Sequence, residues 1–152
     1  MFSYLYDILS WMYDSDLNDY LWGCDCATNN SLTAPEHHTF LGLLMLLSSV
    51  GIAAVYYLVI NSPRFNHRSH WLLFMTIVVV TNFLIGFYFT NEDLNNGSIY
   101  QMMYSCDGNV AQVVTQDCLM FGLSNAIFAA FFFFIASIGL KYASRNCKVV
   151  PF

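Results

Sequence analysis

Residues 119–140 read LMFGLSNAIFAAFFFFIASIGL and contain no Asp, Glu, Lys, Arg or His. Two further stretches share this property: residues 40–60, FLGLLMLLSSVGIAAVYYLVI, and residues 71–90, WLLFMTIVVVTNFLIGFYFT. At 1.5 Å per residue, each is long enough to cross about 30 Å of hydrocarbon as a helix. With their flanking residues, the three stretches predict transmembrane helices over 34–60, 70–90 and 119–142.

The overall composition excludes most other classes of protein. Hydrophobic residues make up 57% of the 152 residues and charged residues only 10%, against about 25% charged in an ordinary soluble domain. A disordered chain needs more charge, and a nucleic-acid binder needs a basic face. We therefore expect an all-α polytopic membrane protein with three transmembrane helices plus an N-terminal amphipathic helix, in one membrane domain over residues 1–152 and without nucleic acid.

The charges predict an orientation. All five basic residues flank the spans on one side, and the ten acidic residues lie elsewhere. The positive-inside rule then places the N-terminus outside and residues 143–152 in the cytoplasm as a basic tail, in a plasma membrane or a bacterial inner membrane. Met1 is followed by an aromatic stretch without Lys or Arg, so we expect no signal peptide. The cytoplasmic basic face would comprise Arg64, Arg68, Lys141, Arg145 and Lys148.

The N-terminal segment has a helical period. In residues 2–14, FSYLYDILSWMYD, Ser3, Asp7, Ser10 and Asp14 form one polar stripe. This pattern predicts an amphipathic helix over residues 2–20 on the outer side. The helix could anchor the chain at the lipid interface, or it could contact another subunit or cover a pore. An acidic polar face without Lys or Arg disfavours anionic lipid and favours protein contact.

Cysteine placement predicts outer disulfides. Cys24 and Cys26 precede the first span, and Cys106 and Cys118 lie in the outer loop over residues 91–118, whereas Cys147 is in the tail. An even number in an oxidising compartment indicates disulfides, with three pairings open. We expect them to join the N-terminal segment to the outer loop.

A redox reading of the same cysteines stays open as the alternative. In layout alone the two pairs resemble the quinone-linked disulfide-forming membrane enzymes, which carry Cys-x-x-Cys on a four-helix bundle. Here one residue separates Cys24 from Cys26, and three spans are predicted. His37 and His38 follow closely, but their spacing is not that of a zinc site, so no metal and no cofactor is expected.

Polar and small residues mark helix contacts within the spans. Five polar side chains lie at roughly 8–13 Å below the outer ends of their spans, counted at 1.5 Å per residue. They could form interhelical hydrogen bonds, or a polar ring lining a pore in an oligomer. Small residues recur every four positions on the third span and favour close helix approach. The polar set is Ser48, Ser49, Asn82, Ser124 and Asn125, and the small set is Gly122, Ala126 and Ala130.

These patterns predict a function without enzyme chemistry. The sequence shows no nucleophile–base pair, no phosphate-binding glycine loop and no intramembrane carboxylate pair. We expect a small non-enzymatic integral membrane protein that acts in an oligomeric assembly, as a channel or as the membrane-embedded subunit of a multi-protein complex. Its partners would be the lipid bilayer, further copies of the chain and cytosolic or membrane proteins. The alternative is an outward-facing thiol–disulfide oxidoreductase that uses the Cys24/Cys26 and Cys106/Cys118 pairs.

Overall fold

Helices make up almost all of the chain that the computed structural model describes, namely residues 2–25, 31–32, 37–60, 67–103 and 113–142. The exception is a pair of two-residue strands, in which Cys24 lies opposite Leu32 and Asp25 opposite Ser31 in antiparallel register. The elements in chain order are α1 (Phe2–Asp7), a 3₁₀ helix (Ser10–Met12), α2 (Ser15–Trp22), β1 (Cys24–Asp25), β2 (Ser31–Leu32), α3 (His37–Ala54), a π-helix (Val55–Ile60), α4 (Arg68–Asn95), α5 (Ser98–Met103) and α6 (Thr115–Lys141).

Three helices are long and apolar enough to cross a membrane, as predicted. They cover His37–Ile60, Arg68–Asn95 and Thr115–Lys141, with 24, 28 and 27 residues. The third begins four residues before the uncharged run because of a local cap. The Asp117 carboxylate accepts a hydrogen bond of 2.9 Å from the Val114 backbone N–H. This is one half of a capping box, and it stabilises the helix start with a negative charge in the first turn.

The structure replaces the continuous helix predicted over residues 2–20 with two shorter ones. α1 ends at Asp7, and α2 begins at Ser15 after the 3₁₀ helix. The break has a physical cause in Asp14, which adopts an extended backbone and accepts a hydrogen bond of 2.8 Å from the Asp16 N–H as an N-cap. α2 then ends at Gly23, whose φ of 80° is a left-handed conformation that glycine adopts without strain.

The end of the first long helix widens into a π-helix. Over Val55–Ile60 the backbone follows the π-helical pattern, with more residues per turn than an α-helix. Both Tyr56 and Tyr57 are fully buried there, with their rings perpendicular at a centroid distance of 4.8 Å. Tyr56 also packs against Phe74 of α4 at 5.1 Å. The π-helix therefore turns two consecutive large side chains inward.

The chain divides into two compact units. The first comprises Met1–Leu43 and Phe83–Asn125, and the second comprises Leu44–Asn82 and Ala126–Phe152. All ten Asp and Glu residues of the sequence lie within the first pair of ranges, and all five Lys and Arg residues within the second. The largest fully buried side chains are Tyr6, Leu17, Leu21, Leu41, Ile99 and Phe121 in the first unit and Met45, Tyr56, Tyr57, Val78 and Phe133 in the second.

Candidate functional site

Three of the five predicted intramembrane polar positions join α3 to its neighbours in the second unit. The Ser48 hydroxyl lies 3.1 Å from Asn82 Oδ1 on α4, to which it donates. The Ser49 hydroxyl shares its proton between the Met45 carbonyl at 2.7 Å and the Ala129 carbonyl of α6 at 3.2 Å. These bonds match the helix-joining hypothesis, since polar groups in an apolar surrounding stabilise a structure when they are paired.

The other two predicted polar positions lie on α6 in the first unit. Ser124 donates a hydrogen bond of 2.7 Å to the Phe121 carbonyl of its own helix. Asn125 Oδ1 accepts one of 2.6 Å from the Tyr6 hydroxyl of α1. Both α6 side chains are fully buried. Asn125 therefore contacts the N-terminal segment. The predicted depths of the polar residues gave no indication of this contact.

A third bond between long helices was not foreseen from the sequence. Trp71 Nε1 on α4 donates a hydrogen bond of 3.1 Å to the Ser137 hydroxyl of α6, and both side chains are buried. The sequence nevertheless carries a signal for this bond, because Trp71 begins one apolar run and Ser137 lies near the end of another. In antiparallel helices such positions lie at matching depth.

Small residues allow α4 and α6 to approach closely in the first unit. A Cβ atom on Gly122 would lie 2.9 Å from the Phe83 carbonyl oxygen, and one on Gly86 would lie 3.1 Å from the Gly122 Cα. Either substituent would force the two backbones apart. Of the other predicted packing positions, Ala126 is buried and Ala130 is half-buried. The sequence pattern identified Gly122 but missed its counterpart Gly86.

Histidine and tyrosine side chains form the most polar buried cluster in the first unit. The His38 ring is fully buried and stacks on Tyr6 at a centroid distance of 5.0 Å. Its Nε2 atom lies 3.3 Å from Asn18 Oδ1 on α2. His37 stacks on Tyr20 at 5.3 Å. The two histidines are thus held by α1 and α2 through ring contacts, which the sequence analysis did not predict.

Burial changes the acid–base chemistry of the N-terminal segment. Desolvation raises the pKa of Tyr6, Tyr13 and Tyr20 well above the ordinary phenol value, so these hydroxyls stay neutral donors. The Tyr20 hydroxyl donates to Asp93, whose negative charge raises the Tyr20 pKa further. Burial, with the nearby Asp16 and Asp7 carboxylates, also raises the pKa of Asp19.

Asp7 joins α1 to α2 through its carboxylate. Its Oδ1 atom accepts hydrogen bonds from Trp22 Nε1 at 3.2 Å and from Asn18 Nδ2 at 3.3 Å. Asn18 in turn contacts the His38 ring, so a polar chain runs from Asp7 through Asn18 to His38. The predicted polar stripe therefore contributes at Asp7 to intramolecular bonding.

The structure corrects the expected disulfide at Cys118. Its thiol is free and buried at the start of α6, in hydrogen-bond contact with the Thr90 side chain of α4. A free thiol is also one of the two states of a redox cysteine pair, so the oxidoreductase alternative stays a prediction. Cys26, Cys106, Cys147 and the Cys24 side chain lie outside the described residues.

The predicted basic face is described in part. Arg68 is exposed in the first turn of α4, and Lys141 is half-buried at the end of α6. Each lies about one helical turn beyond the Trp71–Ser137 bond, so the two cations are at the same end of the second unit. Arg64, Arg145 and Lys148 lie outside the described residues.

The groups above bond mainly to one another. Within residues 2–25, 31–32, 37–60, 67–103 and 113–142, no three His, Cys, Asp or Glu side chains lie together as metal ligands. The polar groups at the described helix contacts act as donors and acceptors between elements. Comparison of the chain with protein-family models, curated proteins and solved structures found no match.

Proposed function

We propose that the chain is a small, non-enzymatic integral membrane protein that acts as the membrane-embedded subunit of an oligomeric assembly, with copies of itself or with other membrane proteins. The observation that supports this most directly is the internal bonding of the intramembrane polar groups. Ser48 bonds to Asn82, Ser49 to Ala129 and Asn125 to Tyr6. Their polarity is used within one chain to join its helices.

This pattern favours a subunit over a channel with a polar lining. A pore needs polar groups directed at the conducted species. Ser49, Asn82, Ser124 and Asn125 are each fully buried inside a single chain. Rotating them towards a central pore would break the bonds described above. A channel is therefore the weaker form of the proposal.

The apolar surface left on α3 and α4 supports association with further helices. Of the 18 most apolar consecutive residues in α6, half are buried inside the chain. The corresponding share is only 28% for His37–Ile60, which contains α3, and 17% for α4. Leu47 on α3 is 67% exposed, and Leu73 on α4 is 54% exposed. Lipid or another protein must cover these faces, and helix packing inside a membrane needs only close van der Waals fit.

The orientation is part of the proposal. We place the N-terminus outside and the C-terminus in the cytoplasm, since Arg68 and Lys141 lie at one end of the second unit and every acidic residue falls in the first. The cytoplasmic end would then meet lipid headgroups or a soluble partner. Attaching a membrane-impermeant reagent to single engineered cysteines at either end in intact cells would test this placement.

Native mass spectrometry of the protein in mild detergent tests the assembly. We expect a discrete oligomer, or a defined complex with a co-purified membrane protein, that survives mild reductant. A monodisperse monomer in both detergent and lipid nanodiscs would overturn the proposal. Conductance in planar bilayers then separates the two forms, because a subunit without a pore gives no unitary currents.

Two glycines provide matched probes of the contact face. A Cβ atom at Gly51 on α3 or at Gly139 on α6 would meet no atom within 4 Å. Neither Gly51→Leu nor Gly139→Leu should therefore disturb the single chain. A fall in oligomer fraction with only one of them identifies the face that packs against a neighbour. If the oligomer is unchanged in both, the contact lies on α4, where Leu73→Trp is the next probe.

A further inference from the structure

The N-terminal helix α1 is buried on one side and exposed on the other. Phe2 packs directly over Gly42 of α3, where any Cβ atom would collide with its ring. Tyr6 is fully buried against His38 and Asn125. Large side chains on α1 and in the residues that follow it remain uncovered: Tyr4 is 72% exposed, Ile8 64% and Trp11 79%.

The partners of α1 set its depth along the long helices. Gly42 lies two residues inside the uncharged run that begins at Phe40, and Asn125 lies six residues inside the run that begins at Leu119. At 1.5 Å per residue these positions are about 3 Å and about 9 Å into the apolar zone. α1 therefore lies beside the first turns of the apolar helices rather than beyond them.

The start of α3 also carries exposed apolar side chains. Phe40 is 52% exposed and Leu43 is 45% exposed on the helix that α1 packs against. Tyr4 lies on α1 and Trp11 on the 3₁₀ helix, with Ile8 in the turn that joins them, so the three exposed side chains are close together along the chain. Trp and Tyr are the residues enriched where hydrocarbon meets headgroups, because their rings are amphipathic.

We propose that Tyr4, Ile8 and Trp11 form a lipid-binding surface that inserts into the boundary between headgroups and acyl chains, with zwitterionic lipid as its occupant. Asp7 and Asp14 lie in the same segment, and the first unit contains no Lys or Arg in its sequence. These carboxylates would repel anionic headgroups. The inference depends on membrane insertion and is independent of the proposed assembly.

Tryptophan fluorescence in phosphatidylcholine vesicles tests the proposal. The full-length protein is reconstituted with lipid brominated in the upper acyl chain, and emission is compared between wild type and Trp11→Phe. We expect Trp11→Phe to lose most of the bromolipid-quenchable emission, whereas Trp71→Phe, which removes a buried indole, should not. The brominated lipid occupies both leaflets, so the reading does not depend on the direction of insertion.

One control and two contrary outcomes for Trp11 complete the test. Of Leu47→Trp on α3 and Leu73→Trp on α4, both at exposed positions, at least one must be quenched. Failure of both would overturn membrane insertion and with it this proposal. Emission from Trp11 that is quenched by aqueous acrylamide but not by bromolipid would show a water-facing surface and overturn the proposal. Shielding from both quenchers would show a protein occupant and also overturn it.

A second reporter keeps the test independent of one side chain. In the Trp11→Phe background, Ile8→Trp places an indole on the same surface at a position that is already exposed. Recovery of the lost bromolipid quenching supports the proposal, and recovery of acrylamide quenching alone contradicts it. Replacing phosphatidylcholine with an anionic lipid should reduce the bromolipid quenching of both reporters if the carboxylates act as proposed.

Discussion

Tyr6 and Asn125 are 119 positions apart in the chain, yet the Tyr6 hydroxyl donates to Asn125 Oδ1 at 2.6 Å, and both side chains are fully buried. The bond fixes the N-terminal helix α1 to α6. Because a buried hydrogen bond has strict geometry, it specifies one position of α1 where apolar contact alone would permit sliding.

Removing that hydroxyl should destabilise the first unit. For Tyr6→Phe we expect a loss of about 1–3 kcal/mol, because a buried acceptor loses its donor. Tyr4→Phe is the matched control, since Tyr4 is 72% exposed and should leave stability unchanged. Thermal unfolding in detergent measures the difference. Equal melting temperatures for Tyr6→Phe and wild type would contradict the importance of the bond.

A methyl group at Gly42 should release α1. Gly42→Ala places a Cβ atom where Phe2 lies, and overpacking of this kind costs about 1–3 kcal/mol. We expect faster hydrogen exchange in Phe2–Asp7 than in wild type. Gly51→Ala is the matched control in the same helix, because nothing lies within 4 Å of its Cβ. That variant should be neutral or more stable by up to about 1 kcal/mol. Equal exchange in both variants would disprove the contact.

The state of Cys118 can be read by alkylation without reductant. A buried free thiol should resist maleimide in the folded protein and react once the protein is denatured, with Cys118 identified by peptide mass spectrometry. Cys118→Ser supplies the control, since it lacks that labelled peptide. A Cys118 that reacts only after reduction would show a disulfide there, as the sequence analysis predicted.

Alkaline pH should unfold the protein through its buried phenols. Tyr6, Tyr13 and Tyr20 have folded-state pKa values raised by burial, whereas in the unfolded chain a phenol titrates near about 10. Their contribution to stability is complete below that pH and is lost as the pH rises towards the folded-state values. Phenolate absorbance should show these tyrosines ionising late, together with unfolding. Early ionisation of every tyrosine without loss of helix would refute the burial.

The sequence was sufficient for the long helices but not for the segment that precedes them. An uncharged apolar run of some twenty residues has few alternatives to a membrane-spanning helix. The period in residues 2–14 could not reveal that Asp14 caps a second helix, because an N-cap aspartate and a helix-surface aspartate look alike in a polar stripe. The extended backbone of Asp14 and its bond to the Asp16 N–H, which cause the break, are visible only in the structure.

Counting residues from the outer ends of the spans predicted the depth of the intramembrane polar residues but not their bonding partners. Ser48 and Asn82 pair across two helices as the matching depth suggested. Asn125 instead bonds to Tyr6, on a segment that the depth argument left out of the spans. The ring contacts of His37 and His38 were equally out of reach, since stacking depends on how α1 and α2 fold back.

The π-helix over Val55–Ile60 sets the directions in which the last side chains of the first long helix point. A π turn accommodates about one residue more than an α turn, so it is equivalent to a single inserted residue. Deleting one residue here would restore a regular α-helix and rotate the two tyrosines relative to each other. Consecutive side chains diverge more on an α-helix, which has fewer residues per turn, so Tyr56 and Tyr57, now both fully buried, would no longer both face inward. The wide turn thus determines which side chains face inward, and a one-residue deletion would remove it.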